Sequence, residues 1–139
     1  MNNCIFCKLI AGEIPSVKVY EDDDVLAFMD IAPLVHGHTL VIPKLHVPLL
    51  ADTPDDILAK VIRVVRRVAR AQQNGLGAEG VNIHQSNGSV AGQVVPHLHF
   101  HVIPRYQTDG HHWNWSPNPY DNPDEAAAIA ERIRAVLNG

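Results

Sequence analysis

The chain has no apolar run approaching the roughly 18 residues that span a bilayer, so a membrane protein is not expected. Its opening residues, Met1-Asn2-Asn3-Cys4, show neither a basic n-region nor an apolar h-region, and the expected setting is cytoplasmic. Positive charge is also short: 11 Lys and Arg against 15 Asp and Glu leave a net charge of −4 with the histidines neutral. A nucleic-acid partner, which needs a basic stripe, is therefore not expected. A single nucleotide is not barred, because a small anion site can be built from backbone N–H groups and a few histidines. Cysteine is scarce. Cys4 and Cys7 are the whole supply, and their C-x₂-C spacing points to metal or redox chemistry rather than a structural disulfide. No loop reads Gly-Lys-Ser/Thr, which removes a Walker-type phosphate site. No repeat or composition break divides the chain. One domain is expected over 1–139, with a core at about 4–105, an aromatic loop at 106–121 and a C-terminal helix at 123–137.

What the chain does have is histidine. In Val95-Pro96-His97-Leu98-His99-Phe100-His101-Val102-Ile103-Pro104 three histidines alternate with apolar residues, which is the period of a β-strand. On a strand the three rings would share one face at about 6.6 Å intervals, with Leu98, Phe100 and Val102 entering a core on the other. Such a row of ionisable rings serves either a metal or covalent chemistry on an anion.

The remaining pattern is mixed. Ser16–Glu21 alternates as a strand, Asp22-Asp23-Asp24 is its turn, and Val25–Met29 is a second, more buried strand. Thr39–Ile42, closed by Pro43, and Gly80–Gln85 are further strands. Thr53 as N-cap, Pro54 at the first helical position and acids in the first turn predict the start of a long helix. Ile57, Leu58, Val61, Val64, Val65 and Val68 form its apolar side, Arg63, Arg66, Arg67 and Arg70 a solvated one, and Asn74-Gly75 its stop. Asn122-Pro123-Asp124-Glu125 caps a last helix with Ile129, Ile133, Val136 and Leu137 apolar. The fold class is α+β: about five mostly antiparallel strands, one long helix and a C-terminal helix. Asn87–Gln93 is a loop whose glycines permit close approach of the backbone to a ligand. Arg105–Asn122 lacks periodicity, yet its two tryptophans and Tyr106 argue against disorder. His111 and His112 in it are loop residues, or an alternative metal pair.

His97-Leu98-His99-Phe100-His101-Val102-Ile103, with Ala91–Pro96 before it and Gly37-His38-Thr39-Leu40-Val41-Ile42-Pro43 upstream, resembles the histidine triad (HIT) family of nucleotide-binding hydrolases and transferases. Within that family it is most similar to the short Hint-like branch that carries an N-terminal cysteine pair. The likeness runs from about Cys4 to Arg105. It implies a structural zinc held by Cys4, Cys7, His46 and His97. It also implies Asp30 as acceptor for ribose hydroxyls, His38 as a fourth active-site histidine, and a homodimer. The loop holding Ser86, Gly92 and Gln93 would grip an α-phosphate, with Gln93 donating to it. Two residues depart from the pattern: Ser86 replaces an Asn or Gln facing the phosphate, and Val94 replaces a Ser or Thr near the leaving group.

The reaction implied is attack by His99 on the α-phosphorus of a purine nucleoside 5′-monophosphate conjugate, such as AMP-lysine or AMP-NH₂. A nucleotidyl-histidine would form and water would release the nucleotide. His38 and His101 would donate to phosphoryl oxygens, and His101 or His97 would orient the nucleophile. No catalytic metal is expected. Open alternatives are cleavage of dinucleoside polyphosphates, nucleotidylyl transfer, a metal-dependent hydrolase using His38, His99 and His101 as ligands, and a non-catalytic nucleotide-binding regulator.

Overall fold

The two-residue period of the strands decides the architecture, since it sends successive side chains to opposite faces of one sheet. The computed structural model describes residues 3–113 and 116–137. Its elements are α1 (Ile5–Ile10), β1 (Lys18–Glu21), β2 (Val25–Met29), β3 (Thr39–Pro43), α2 (Asp55–Leu76), β4 (Gly80–His84), β5 (Phe100–Arg105) and α3 (Pro123–Leu137). The five strands form one sheet in the order β1-β2-β3-β5-β4, every neighbouring pair antiparallel. This is the expected α+β arrangement.

The central strands are buried on both faces. Val25, Ala27, Val41, Phe100 and Val102 pack with Val61, Val64, Val65 and Val68 of α2. Leu26, Phe28, Leu40 and Ile42 point the other way and meet Phe6 and Leu9 of α1. A side chain as enclosed as Val61, which is 0% exposed, contributes ~1.5–3 kcal/mol of burial free energy. Since Phe100 and Val102 face α2, His101 between them must face α1. The active face of the sheet is thereby fixed by the pattern of the opposite face.

Several boundaries differ from the sequence expectation. β1 begins at Lys18 rather than Ser16. α2 begins at Asp55 with Pro54 at its N-cap, because the Thr53 hydroxyl donates to the Leu49 carbonyl at 2.9 Å instead of capping the helix. α2 also runs through Gly75 to Leu76. Gly77, at φ +69°, is the left-handed cap, its N–H donating to the Gln72 carbonyl. α3 has the expected bounds and buries none of its residues; Asn122 Oδ1 accepts the Glu125 N–H at 3.0 Å in front of it. Of the 106–121 loop, Asn114 and Trp115 lie outside the described residues. Its first part is tied down by Asp109, whose carboxylate accepts from Arg105 and from the Tyr106 and His111 N–H groups. Among the described residues no helix is long and apolar enough to cross a membrane.

Gly37 is the position least tolerant of a side chain. It sits at φ +106°, and a Cβ there would lie 2.8 Å from Leu76 Cδ1 and 2.9 Å from Pro104 Cγ. Gly37→Ala should cost ~2 kcal/mol or more, read as a lower midpoint in urea denaturation. A change below ~0.5 kcal/mol would show the turn to be free of this constraint.

Candidate active site and metal centre

The first cluster grows from the short helix α1. Cys4 is its N-cap, and its sulfur accepts the Cys7 N–H at 3.4 Å. The turn brings Cys7 beside it. Cys4 Sγ lies 3.4 Å from His97 Nδ1, and Cys7 Sγ lies 3.3 Å from His46 Nδ1 and 3.7 Å from His97 Nδ1. The two Nδ1 atoms are 3.2 Å apart. A tetrahedral zinc with bonds of about 2.3 Å to sulfur and 2.0–2.1 Å to nitrogen spaces such donors roughly 3.3–3.8 Å apart. The donor set therefore fits zinc in both chemistry and spacing. His97 Nε2–H donates to the Pro43 carbonyl at 2.8 Å, which leaves Nδ1 as the lone pair facing the sulfurs. Burial pushes the Cys7 thiol up, and the Cys4 sulfur pushes it further. Thiolates here require a cation.

The faces alternate as expected, with Leu98, Phe100 and Val102 all in the α2 core and Phe6 of α1 edge-on to both the His97 and His99 rings, but of the three histidines only His101 lies on the strand. β5 begins only at Phe100. Before it the chain bends: His97 N–H goes to the Val95 carbonyl and Leu98 N–H to the Val47 carbonyl. The His97 ring, 0% exposed, turns into the cysteine cluster. It meets the others only through its carbonyl, which accepts from His99 Nδ1–H at 2.7 Å. His99 and His101 remain neighbours, with ring centroids 5.1 Å apart.

The proton positions follow from fixed backbone groups. Leu34 N–H donates to His38 Nδ1 at 3.1 Å, so His38 carries its proton on Nε2. That proton is donated to His101 Nδ1 at 2.9 Å, so the free proton of His101 is on Nε2. His99, whose proton is committed to the His97 carbonyl, keeps a lone pair on Nε2. A ring with a bare nitrogen thus stands beside a ring with a free N–H. Burial lowers the pKa of His38 and of His99. It lowers that of His101 to about 4, with the charges of His99, His38 and His84 adding to the effect.

His99 and His101 line a cleft of about 330 Å³ whose other walls include Ile5, Phe6, Ile14 and Ile31. Asp30 and Gly92 also line it. Asp30 Oδ1 accepts the Ala32 N–H at 2.8 Å, and its Oδ2 is 3.5 Å from His38 Nε2. Asp30, His38 and His101 are close enough to share an ion, but the facing nitrogens of the two rings already share one proton.

Gln93 does not project into this cleft. Its Nε2 donates to the Pro48 carbonyl at 2.7 Å and its Oε1 accepts the Gly88 N–H at 2.7 Å. Buried, its amide braces the loop rather than facing the cleft; the neighbouring Gly92, at φ +96°, donates its N–H to the Ser89 carbonyl at 3.0 Å. Ser86 Oγ lies beside Gly92 and 3.0 Å from His84 Nε2.

Sequence reasoning missed His84. It pairs with His101 across β4 and β5, with rings 5.7 Å apart, and stacks on Trp113. Only strand register could have revealed it, since Gly80–His84 carries no distinguishing motif. His36 is an exposed loop residue. His111 packs edge-on to Trp113.

Comparison with known proteins agrees with this geometry. A family model described as "HIT domain" matches residues 11–108. An adenosine 5′-monophosphoramidase of Schizosaccharomyces pombe is 41% identical over 136 residues, 97% of this chain and 98% of the relative. The crystal structure of a HIT family member from Bacillus subtilis superposes with a TM-score of 0.89 at 44% identity, covering 96% of each chain. A zinc-bound histidine triad protein from Mycobacterium smegmatis is 38% identical, with a TM-score of 0.74 over 99% of this chain and 96% of that one.

Two outcomes follow from the geometry. Protein purified without added zinc should contain close to one zinc per chain by elemental analysis, and Cys7→Ser should lose most of it. Wild type with under a tenth of an equivalent would remove the metal centre. Acidification should also destabilise the fold. The unfolded rings take protons near their ordinary pKa of about 6.5, while folded His101 resists until about pH 4. Stability is therefore full above pH 6.5 and drains as the pH falls toward 4. In denaturant melts His101→Gln should flatten that dependence, and an unchanged slope would mean other groups carry it.

Proposed function

The chain belongs to the HIT domain family, and on that premise we propose that it is a nucleotide hydrolase acting at the α-phosphate of purine nucleoside 5′-monophosphate conjugates. The observation that carries the reading is the pair of complementary tautomers, a bare His99 Nε2 beside a proton-bearing His101 Nε2, in one cleft. His99 attacks phosphorus, and the bond to the leaving group breaks as the phosphorus–nitrogen bond to His99 forms. Water then displaces His99 and releases the nucleoside monophosphate. His101 donates to a phosphoryl oxygen, His38 holds His101 in the donating tautomer, and Gly92 lets the loop backbone approach the phosphate closely. His97 contributes through its carbonyl. Asp30 accepts from the ribose hydroxyls, and the apolar wall formed by Ile5, Phe6, Ile14 and Ile31 receives the base. Ser86, beside Gly92, offers a hydroxyl where relatives offer an amide.

A cleft of about 330 Å³ is at the small end of ligand-sized sites, roughly 300–1,000 Å³. A mononucleotide conjugate is preferred over a dinucleoside polyphosphate because the yeast relative is named for the phosphoramidate type. The reading includes a structural zinc on Cys4, Cys7, His46 and His97. It includes one functional unit along the chain, a cytoplasmic setting suited to free thiols, and a homodimer. The dimer is supported by the uncovered apolar stripe of Ile129, Ile133 and Val136 on α3.

The test is acid-quenched intact-mass spectrometry with adenosine 5′-phosphoramidate in EDTA, alongside AMP release. Wild type should gain one adenylyl group transiently, and His99→Ala should lose at least about a thousandfold in rate and form no adduct. Activity that vanishes in EDTA and returns with added metal while the fold persists would replace this mechanism with a metal-dependent one.

A further inference from the structure

Helix α2 carries one polar residue where its spacing calls for an apolar one. Gln72 follows Val61, Val64, Val65 and Val68 along the buried stripe and is 4% exposed. A buried amide is retained at such a place when its hydrogen bonds matter. Gln72 Nε2 donates to the Gly37 carbonyl at 3.1 Å and to the Val102 carbonyl at 2.9 Å. Two carbonyl acceptors leave no doubt which end of the amide is nitrogen. Gly37 is the residue before His38, and Val102 is the residue after His101.

The sheet alone does not hold these two histidines together. The β3–β5 pairing ends at Thr39 with Val102, so His38 lies one residue beyond the ladder. Its backbone is tied toward β2 by Asp30 N–H, which donates to the His38 carbonyl at 3.0 Å. Toward β5 the tie is Gln72. The same end of α2 presses on the turn through Leu76, which together with Pro104 leaves no room for a Cβ on Gly37.

We infer that Gln72 is a positioning residue of the histidine row: its carboxamide bridges the Gly37 and Val102 carbonyls and so keeps His38 at hydrogen-bond distance from His101. Without the bridge the His38–His101 contact loosens, and His101 is released to place its proton on either nitrogen. The fraction of molecules presenting an Nε2–H toward the phosphate falls. The kinetic part of this inference rests on the proposed α-phosphate chemistry; the structural part does not.

The experiment uses Gln72→Leu, with Gln72→Met as a second variant of matching length. Both should fold, because the Gly37 carbonyl keeps the Thr39 hydroxyl as a donor at 2.9 Å. Folding is checked by thermal melts, and both variants are studied as purified. Histidine ring ¹⁵N spectra of the ligand-free proteins report the tautomers, and steady-state hydrolysis of adenosine 5′-phosphoramidate reports kcat and KM. The expected result is one defined tautomer each for His38 and His101 in wild type and mixed tautomers for His101 in the variants. kcat should fall about 10–30-fold while KM changes less than threefold. Wild-type histidine spectra in a folded variant, or kcat within twofold of wild type, would overturn the inference. Should wild type itself not turn over, the functional reading fails, and the ring spectra still decide the role of Gln72.

Discussion

A single buried imidazole holds the site together. His97 has no exposed surface and every one of its hydrogen-bonding groups is committed: Nε2 to Pro43, Nδ1 to the cysteine cluster, and its carbonyl to His99. Each commitment reaches a different part of the chain. Through it the N-terminal helix, the end of β3 and the entrance to β5 are locked to one another, and His99 receives its tautomer from a group that cannot move without dismantling the cysteine–histidine cluster. Rigidity is bought from burial here, not from the strand ladder, which has not yet begun at His97.

The second half of the site is built on a different logic. His38 and His101 are set by a relay of donors that starts at a backbone N–H and ends at a free ring proton. Burial keeps these rings neutral, and neutrality keeps the relay directional, because a doubly protonated ring would have no acceptor to offer its neighbour. The cleft thus uses desolvation to decide where protons lie. The same desolvation strengthens any hydrogen bond made to a phosphoryl oxygen.

Much of this was legible in the sequence. The five strands and both long helices match the structure, since apolar periodicity is a local signal; the meeting of Cys4, Cys7, His46 and His97 is what the family resemblance implies, the C-x₂-C spacing by itself offering only half of such a site. What failed was non-local. Alternation assigned the faces correctly but carried the strand back to His97, where hydrogen bonds to Val95 and Val47 bend the chain. Thr53 has the chemistry of a cap, yet a nearby carbonyl captured its hydroxyl. Gln93 has the chemistry of a phosphate donor, yet Gly88 and Pro48 use its amide. His84 and Gln72 became visible only through register and packing. A side chain's type constrains what it can bond, whereas the choice among available partners is made by the fold.

Cys4 and His97 touch although 93 residues separate them. A ribosome adding about 5–20 residues per second therefore takes about 5–20 s between making the first thiol and making the imidazole that shelters it. For that interval both sulfurs travel on an unfinished chain, open to oxidants and to stray metal ions. The finished molecule buries Cys4 and partly covers Cys7; the growing one depends on the reducing power of its surroundings.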